Sequence, residues 1–211
     1  MARPSSITSL NNDIMIYICK FLNNEDVLSL MTSNLTFATI FSTSPFFLRK
    51  FKLDLNKITS QKHFDNVLIW KIPFKNIAIN FNSLQTSQTH LLCKNNKEHV
   101  QFLEIKSLIL KNFEECYELF SGMQNLTNLS MNDCKLKILN DEALPQIETL
   151  QVVSFDKCDE NIFKIFRHQQ SLEKIIVRND DYTWNGFCHE SFNNLVRNLP
   201  KVRWIVMMDQ E

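Results

Sequence analysis

Glycine is scarce in this 211-residue chain, where only Gly122 and Gly186 occur. A glycine-rich phosphate loop is therefore excluded, and turns that need a positive φ must lean on Asn and Asp, which tolerate that region better than other residues. An excess of either charge is also lacking, since 23 Lys and Arg balance 23 Asp and Glu. Net charge thus suggests neither a nucleic-acid-binding field nor an acidic tail. No apolar run is long enough for a membrane span: the longest, Ile14 to Cys19, falls far short of about 20 residues. The opening MARPSSITSLNND has one Arg and no apolar stretch before a small-residue cleavage site, which argues against a secretory signal.

Metal and catalytic spacings are missing too. Cysteines 19, 93, 116, 134, 158 and 188 form no CxxC pair and no zinc-ligand pattern. Free buried thiols in a reducing compartment, cytoplasmic or nuclear rather than secreted, are the expectation. The sequons beginning at Asn34, Asn125 and Asn128 then carry no sugar. The five histidines, at 63, 90, 99, 168 and 189, sit in no HExxH or paired-carboxylate setting. No catalytic residue, metal ligand or cofactor is expected, and the chain is expected not to be an enzyme. An α/β hydrolase or transferase would need a pocket of convergent titratable groups, and no motif offers one.

What is present is enough apolar content, 44%, for a real core. It is densest in LNNDIMIYICKFL, Leu10 to Leu22, where eight of the ten residues from Asp13 onward are apolar. A helix apolar on every side must bury every side, in a large core or against a partner. Asn11 or Asn12 can cap it, with Asp13 in its first turn, and it should run to about Phe21. A second helix begins at Glu25 and Asp26, with Val27, Leu28, Leu30 and Met31 at helical spacing. Thr36 to Phe41 reads as a third, and Ser44-Pro45 opens a further turn in FFLRKF. So small a helical unit needs support from a neighbour or a partner.

Residues 10–51 resemble an F-box, the module through which substrate receptors join SCF-type ubiquitin ligases. Leu10 stands at the family's opening Leu, Asp13-Ile14-Met15 matches its acidic-Ile-Leu step, and Ile18 and Leu22 match later anchors. Asp26-Val27-Leu28 resembles the Asp-Leu-Leu step, Phe37 stands at the family's Trp, and Pro45, Phe47, Leu48 and Phe51 resemble the closing motif. Asn11 replaces the usual Pro, Cys19 an aromatic, and Leu35-Thr36 a basic pair. The resemblance implies docking on a Skp-family adaptor, and through it a cullin scaffold, by Leu10, Asn11, Ile14, Met15, Ile18, Leu22, Val27, Leu28, Met31 and Phe37. The competing expectation is that these apolar residues form the core of a helical cap.

From residue 48 a second pattern takes over: an apolar residue, another three on, and another two after that. It reads as Leu48-Phe51-Leu53, Phe74-Ile77-Ile79, Ile105-Leu108-Leu110, Leu126-Leu129-Met131, Ile147-Leu150-Val152, Leu172-Ile175-Val177 and Val202-Ile205-Met207. This resembles a leucine-rich repeat of degenerate spacing. Helices are expected between strands at 115–121, 159–168 and 188–197. The expected fold class is α/β: a three-helix F-box, then a short, irregular solenoid with a parallel sheet. The division is a tail over 1–9, the F-box over 10–51, and about six repeats over 52–211.

Strand alternation puts the residues between anchors on a concave face. Toward the C-terminus that face is expected to present Ile109, Lys111, Gln151, Val153, Lys174, Ile176, Arg178, Trp204, Val206 and Met208, a set with the Trp, Arg and Met types favoured at binding surfaces. The apolar residues at 204–208 have an alternative use, packing at an end without a dedicated cap. The F-box and repeat resemblances together imply a non-catalytic substrate receptor of an SCF ubiquitin ligase. An unknown target protein would sit on the repeats, with no nucleic acid and no membrane as partner. The alternative is a repeat scaffold that binds protein outside any ligase.

Overall fold

The computed structural model describes residues 11–58, 61–70, 73–81, 86–110, 113–137, 143–159, 161–179 and 189–209. Four helices open it: α1 (Asn12–Cys19), α2 (Asn24–Ser33), α3 (Leu35–Thr43) and α4 (Pro45–Lys50). Asparagine starts the first three. The side-chain oxygens of Asn11, Asn23 and Asn34 accept from the backbone N–H of Asp13, Asp26 and Thr36, each at 2.8 Å, which satisfies donors that have no partner within the helix. Pro45 opens α4 at a position where its missing N–H costs nothing.

Beyond them the chain alternates strand and helix: β1 (Lys52–Asp54), α5 (Gln61–Trp70), β2 (Asn76–Asn80), α6 (Thr86–Asn96), β3 (Phe102–Lys106), β4 (Ile109–Leu110), α7 (Phe113–Phe120), β5 (Asn128–Asn132), β6 (Lys135–Leu136), β7 (Val152–Asp156), α8 (Asn161–Ile165), β8 (Lys174–Asn179), α9 (His189–Arg197) and β9 (Trp204–Asp209). Seven of these strands form one parallel sheet in the order β1-β2-β3-β5-β7-β8-β9, while β4 and β6 pair separately. A parallel sheet whose strands follow sequence order is consistent with a leucine-rich-repeat-like solenoid.

The register corrects the phase of three repeats. Leu53 pairs with Ile77, Ile77 with Leu103, Leu103 with Leu129, Leu129 with Val153, Val153 with Ile175 and Ile175 with Ile205. Those intervals are 24, 26, 26, 24, 22 and 30 residues, so the array is more regular than the sequence phase suggests. The third repeat is Val100-Leu103-Ile105-Leu108, not Ile105-Leu108-Leu110. Apolar residues at 108–110 lie past a turn at Ser107, whose φ is 55°, and only the earlier phase sets two buried side chains beside Ile77 and Ile79. The fifth repeat is Leu150-Val153-Phe155-Cys158. Of the adjacent valines the structure turns Val153 inward, because Phe155 must meet Phe163 of α8 at 4.9 Å and Phe166 at 5.5 Å. In the first repeat the inward pair is Leu53 and Leu55, two residues later than the sequence phase.

A second backbone device recurs along the entry side of the sheet. Pairs of consecutive N–H groups, 101 and 102, 127 and 128, 151 and 152, 173 and 174, 203 and 204, converge on one carbonyl of the preceding repeat: Lys75, Gln101, Thr127, Gln151 and Glu173 in turn. Buried amide side chains satisfy the turns above it. Asn96 accepts from the Phe74 N–H and donates to Leu92, and Gln169 accepts from the Ile147 N–H at 2.8 Å and donates to Pro145. Most buried polar groups in folded proteins are bonded in this way. Helices α5 and α6 had no counterpart in the sequence expectation.

The corrected register has a direct test. Leu103→Ala should cost about 2–5 kcal/mol in urea unfolding at unchanged m. Ile109→Ala, on the exposed side of β4, should cost under about 1 kcal/mol.

Candidate functional site

Two surfaces stand out, one at each end of the sheet. The first is α1. Its inner face carries Met15 and Cys19, both buried, with Ile16 and Leu22 packed partly against the core. Its other face remains open: Ile14 is 50% exposed, Tyr17 61%, Ile18 40% and Phe21 74%. These four recur at i, i+3, i+4 and i+7, which places them along one side of the helix and its closing turn. Tyr17 and Phe21 meet edge to face at 5.4 Å, and the Lys20 ammonium lies 6.0 Å from the Tyr17 ring and 5.0 Å from that of Phe46. Leu35, at the start of α3, is a further exposed apolar residue.

The residues expected to bind an adaptor therefore divide. Ile14 and Ile18 are on the open stripe, and Asn11 is the exposed cap. Met15, Val27, Leu28, Met31 and Phe37 are buried, and Leu22 is partly buried. Phe37 stacks toward Phe41 at 6.2 Å, and Phe41 meets Phe47 at 4.4 Å. These side chains are core in this chain and cannot touch a partner without opening it. Leu10 lies outside the described residues. Tyr17 and Phe21 are not among the residues that the F-box resemblance selects, although their spacing with Ile14 and Ile18 carries the signal.

The second surface is the sheet face opposite the inward ladder. Lys174, Ile176 and Arg178 lie on it as expected, beside Trp204 and Val206 of β9, and the backbone of Met208 pairs with Arg178. Trp204 is largely exposed. The other expected residues move with the register. Val153 is fully buried on the inner face, Gln151 precedes β7 and supplies a shared carbonyl, and Ile109 belongs to β4. Lys111 lies outside the described residues. In their places the open face carries Phe102, Glu104 and Lys106 on β3, and Val152, Ser154 and Asp156 on β7. At the edge, Ile205 and Met207 continue the inward ladder yet stay exposed, because no further strand covers β9 among the described residues.

Charges on this face are paired locally. Glu104 bridges Lys52 on β1 and Lys106 on its own strand, the latter at 3.2 Å. The Lys52 ammonium also lies 5.7 Å from the Phe102 ring. Burial pushes the Glu104 carboxyl up, but hydrogen bonds and charge from Lys52 and Lys106 outweigh it and hold the group below the usual carboxylate range. Asn132 donates to Asp156 at 3.0 Å on the next pair of strands. Among the described residues no group of three or more His, Cys, Asp or Glu is placed to hold a metal, and no described helix is long and apolar enough to cross a membrane.

No family model matches the chain, and no curated protein matches it. Two solved structures are similar in outline. One is the leucine-rich repeat-containing protein LegL7 from Legionella pneumophila, at 13% identity over 97% of this chain and 81% of that one, with a TM-score of 0.41. The other is TLR13 in its complex with ssRNA13, at 14% identity over 79% of this chain, with a TM-score of 0.35. This chain spans only 34% of that TLR13 chain. Likenesses this distant leave the repeat architecture to rest on the chain's own register.

The division of the helical residues predicts a split in stability. Tyr17→Ala and Phe21→Ala should shift urea unfolding by no more than about 0.5 kcal/mol, whereas Phe37→Ala should cost about 3–5 kcal/mol. A lowered folded-state pKa at Glu104 means stability that is present above the unfolded value, about 4.3, and lost as pH falls through the folded one. Glu104→Gln should therefore flatten the acid limb of stability below about pH 4.5, by at most about 1 kcal/mol because the pair is partly solvated.

Proposed function

We propose that this chain is a non-catalytic substrate receptor of an SCF-type ubiquitin ligase, with α1 docking on a Skp-family adaptor and the repeat sheet holding a target protein. The observation that carries the reading is the open stripe of Ile14, Tyr17, Ile18 and Phe21. Four large apolar side chains on α1 and its closing turn, each at least 40% exposed, form a patch of the kind that marks an interaction site. The stripe lies inside the segment whose residues resemble an F-box. The helices beneath supply support: Val27, Leu28, Met31 and Phe37 are filled from within, so the stripe can be covered without rearranging the core.

The target is proposed to sit on β8 and β9, where Lys174, Ile176, Arg178, Trp204 and Val206 share the open face. Trp and Arg are the residue types that most often anchor interfaces. The mechanism is positional. Holding adaptor and target on one rigid body raises the effective concentration of target lysines at the ubiquitin-charged enzyme, and no residue of this chain touches the isopeptide chemistry.

A second reading has its own observation. Asn66 of α5 donates to the Thr32 carbonyl of α2 at 2.6 Å, and Lys57 pairs with Glu25, so the helices close the solenoid as a cap does. A repeat scaffold outside any ligase needs no more than that. Co-expression with a Skp-family adaptor separates the two: the ligase reading expects a stoichiometric complex that Phe21→Asp or Ile14→Asp abolishes while Trp204→Ala leaves it intact. A stable, monodisperse chain that forms no complex would leave the scaffold reading standing.

A further inference from the structure

Three consecutive repeats leave their strands through the same turn. Ser107, Asp133 and Lys157 all have positive φ, at 55°, 49° and 52°, and the next residues are Leu108, Cys134 and Cys158. The pairing of Asn132 with Asp156 continues past the strand ends, since the Asp133 N–H donates to the Asp156 carbonyl at 2.8 Å. Cys134 and Cys158 therefore hold equivalent positions in adjacent repeats. Adjacent strands run about 4.8 Å apart, within the Cα range of about 4.4–6.8 Å that a disulfide accepts.

The sulfurs follow the backbone. Cys134 Sγ lies 3.4 Å from the Asn132 carbonyl and 3.8 Å from that of Ile105. Cys158 Sγ lies 3.4 Å from the Asp156 carbonyl and 3.4 Å from that of Met131, which puts it over β5, the strand that leads into Cys134. The neighbouring Cys134 thiol holds Cys158 below the ordinary thiol range despite its burial, and the same proximity together with burial raises Cys134. Cys158 is half-buried and Cys134 fully buried. Cys93 makes the contrast, as burial alone pushes its thiol up to about 12.

We propose that Cys134 and Cys158 form a dithiol site that a peroxide closes into a disulfide joining the fourth and fifth strands of the sheet. The Cys158 thiolate attacks one peroxide oxygen, the O–O bond breaks, and the departing hydroxide takes up a proton to leave as water. The Cys134 sulfur then attacks the Cys158 sulfenic acid. The S–O bond breaks and the second oxygen leaves as water with the Cys134 proton. Two thiols lose two electrons, and one peroxide becomes two waters.

Treating the reduced chain with hydrogen peroxide, then blocking remaining thiols and mapping peptides by mass spectrometry without reductant, tests this. The expected result is a dominant Cys134–Cys158 cross-link, reversed by dithiothreitol, with the remaining four cysteines still alkylated. In Cys134→Ser, dimedone labelling of Cys158 should rise several-fold over the wild type, because the resolving thiol is gone. Cross-links scattered among the six cysteines, an equal yield of the pair in denaturant, or a pair that stays alkylatable in the folded chain would each overturn the proposal. The wild-type map decides even where the variant fails to fold.

Discussion

Two side chains per repeat, stacked on their equivalents in the next, hold this molecule together. The first row runs Leu53, Ile77, Leu103, Leu129, Val153 and Ile175, and the second runs Leu55, Ile79, Ile105, Met131, Phe155 and Val177, all essentially closed to solvent. Side chains alternate faces with a period of two, so a slip of one residue would turn each row outward. Burial thus fixes the register, and the register fixes the rest. It sets which carbonyl each pair of N–H groups shares, where the positive-φ turns fall, and which residues reach the open face.

A stack of this kind is stable only through neighbours, so its two ends pose a separate problem. The N-terminal end is solved by α1 to α4, whose buried residues join the same core as the strands. Among the described residues the other end is not closed in the same way, since Ile205 and Met207 continue the inward row yet stay exposed. The asymmetry gives the apolar residues of the N-terminal helices two different jobs. Met15, Val27, Leu28, Met31 and Phe37 close the stack, while Ile14, Tyr17, Ile18 and Phe21 remain outside it.

The sequence made the architecture legible and the phase less so. Parallel strands, the helices α7, α8 and α9 and the Asn11 cap follow from periodicity and residue type, and the repeats at 74, 126, 172 and 202 read in register. The failures occur where apolar residues are crowded. VQFLEIKSLIL offers two phases of the same spacing, and VV at 152 and 153 offers either parity. Only contacts distant in sequence, Ile77 beside Leu103 and Phe155 beside Phe163, choose between them. Helix α5 is not legible because QKHFDNVLIW shows its apolar stripe, Phe64, Val67 and Leu68, only once its ends are known. At α1 the excess of apolar residues was legible, but which side faced inward was not, since all sides look alike until Met15 and Cys19 find the core.

The geometry also sets how far apart the two exposed surfaces stand. From β1, at the helical end, to β9 the sheet crosses six strand intervals, roughly 29 Å at about 4.8 Å each. A protein covering α1 and another lying over β8 and β9 therefore meet surfaces at opposite edges of one stack. Between them the face carries Phe102 and Val152 at its entry side, while Asn128, Ser130 and the buried Ser154 make its centre small and polar. A body built of strands locked by a continuous buried ladder transmits position rather than motion. The distance between the two surfaces is then set by the number of strands.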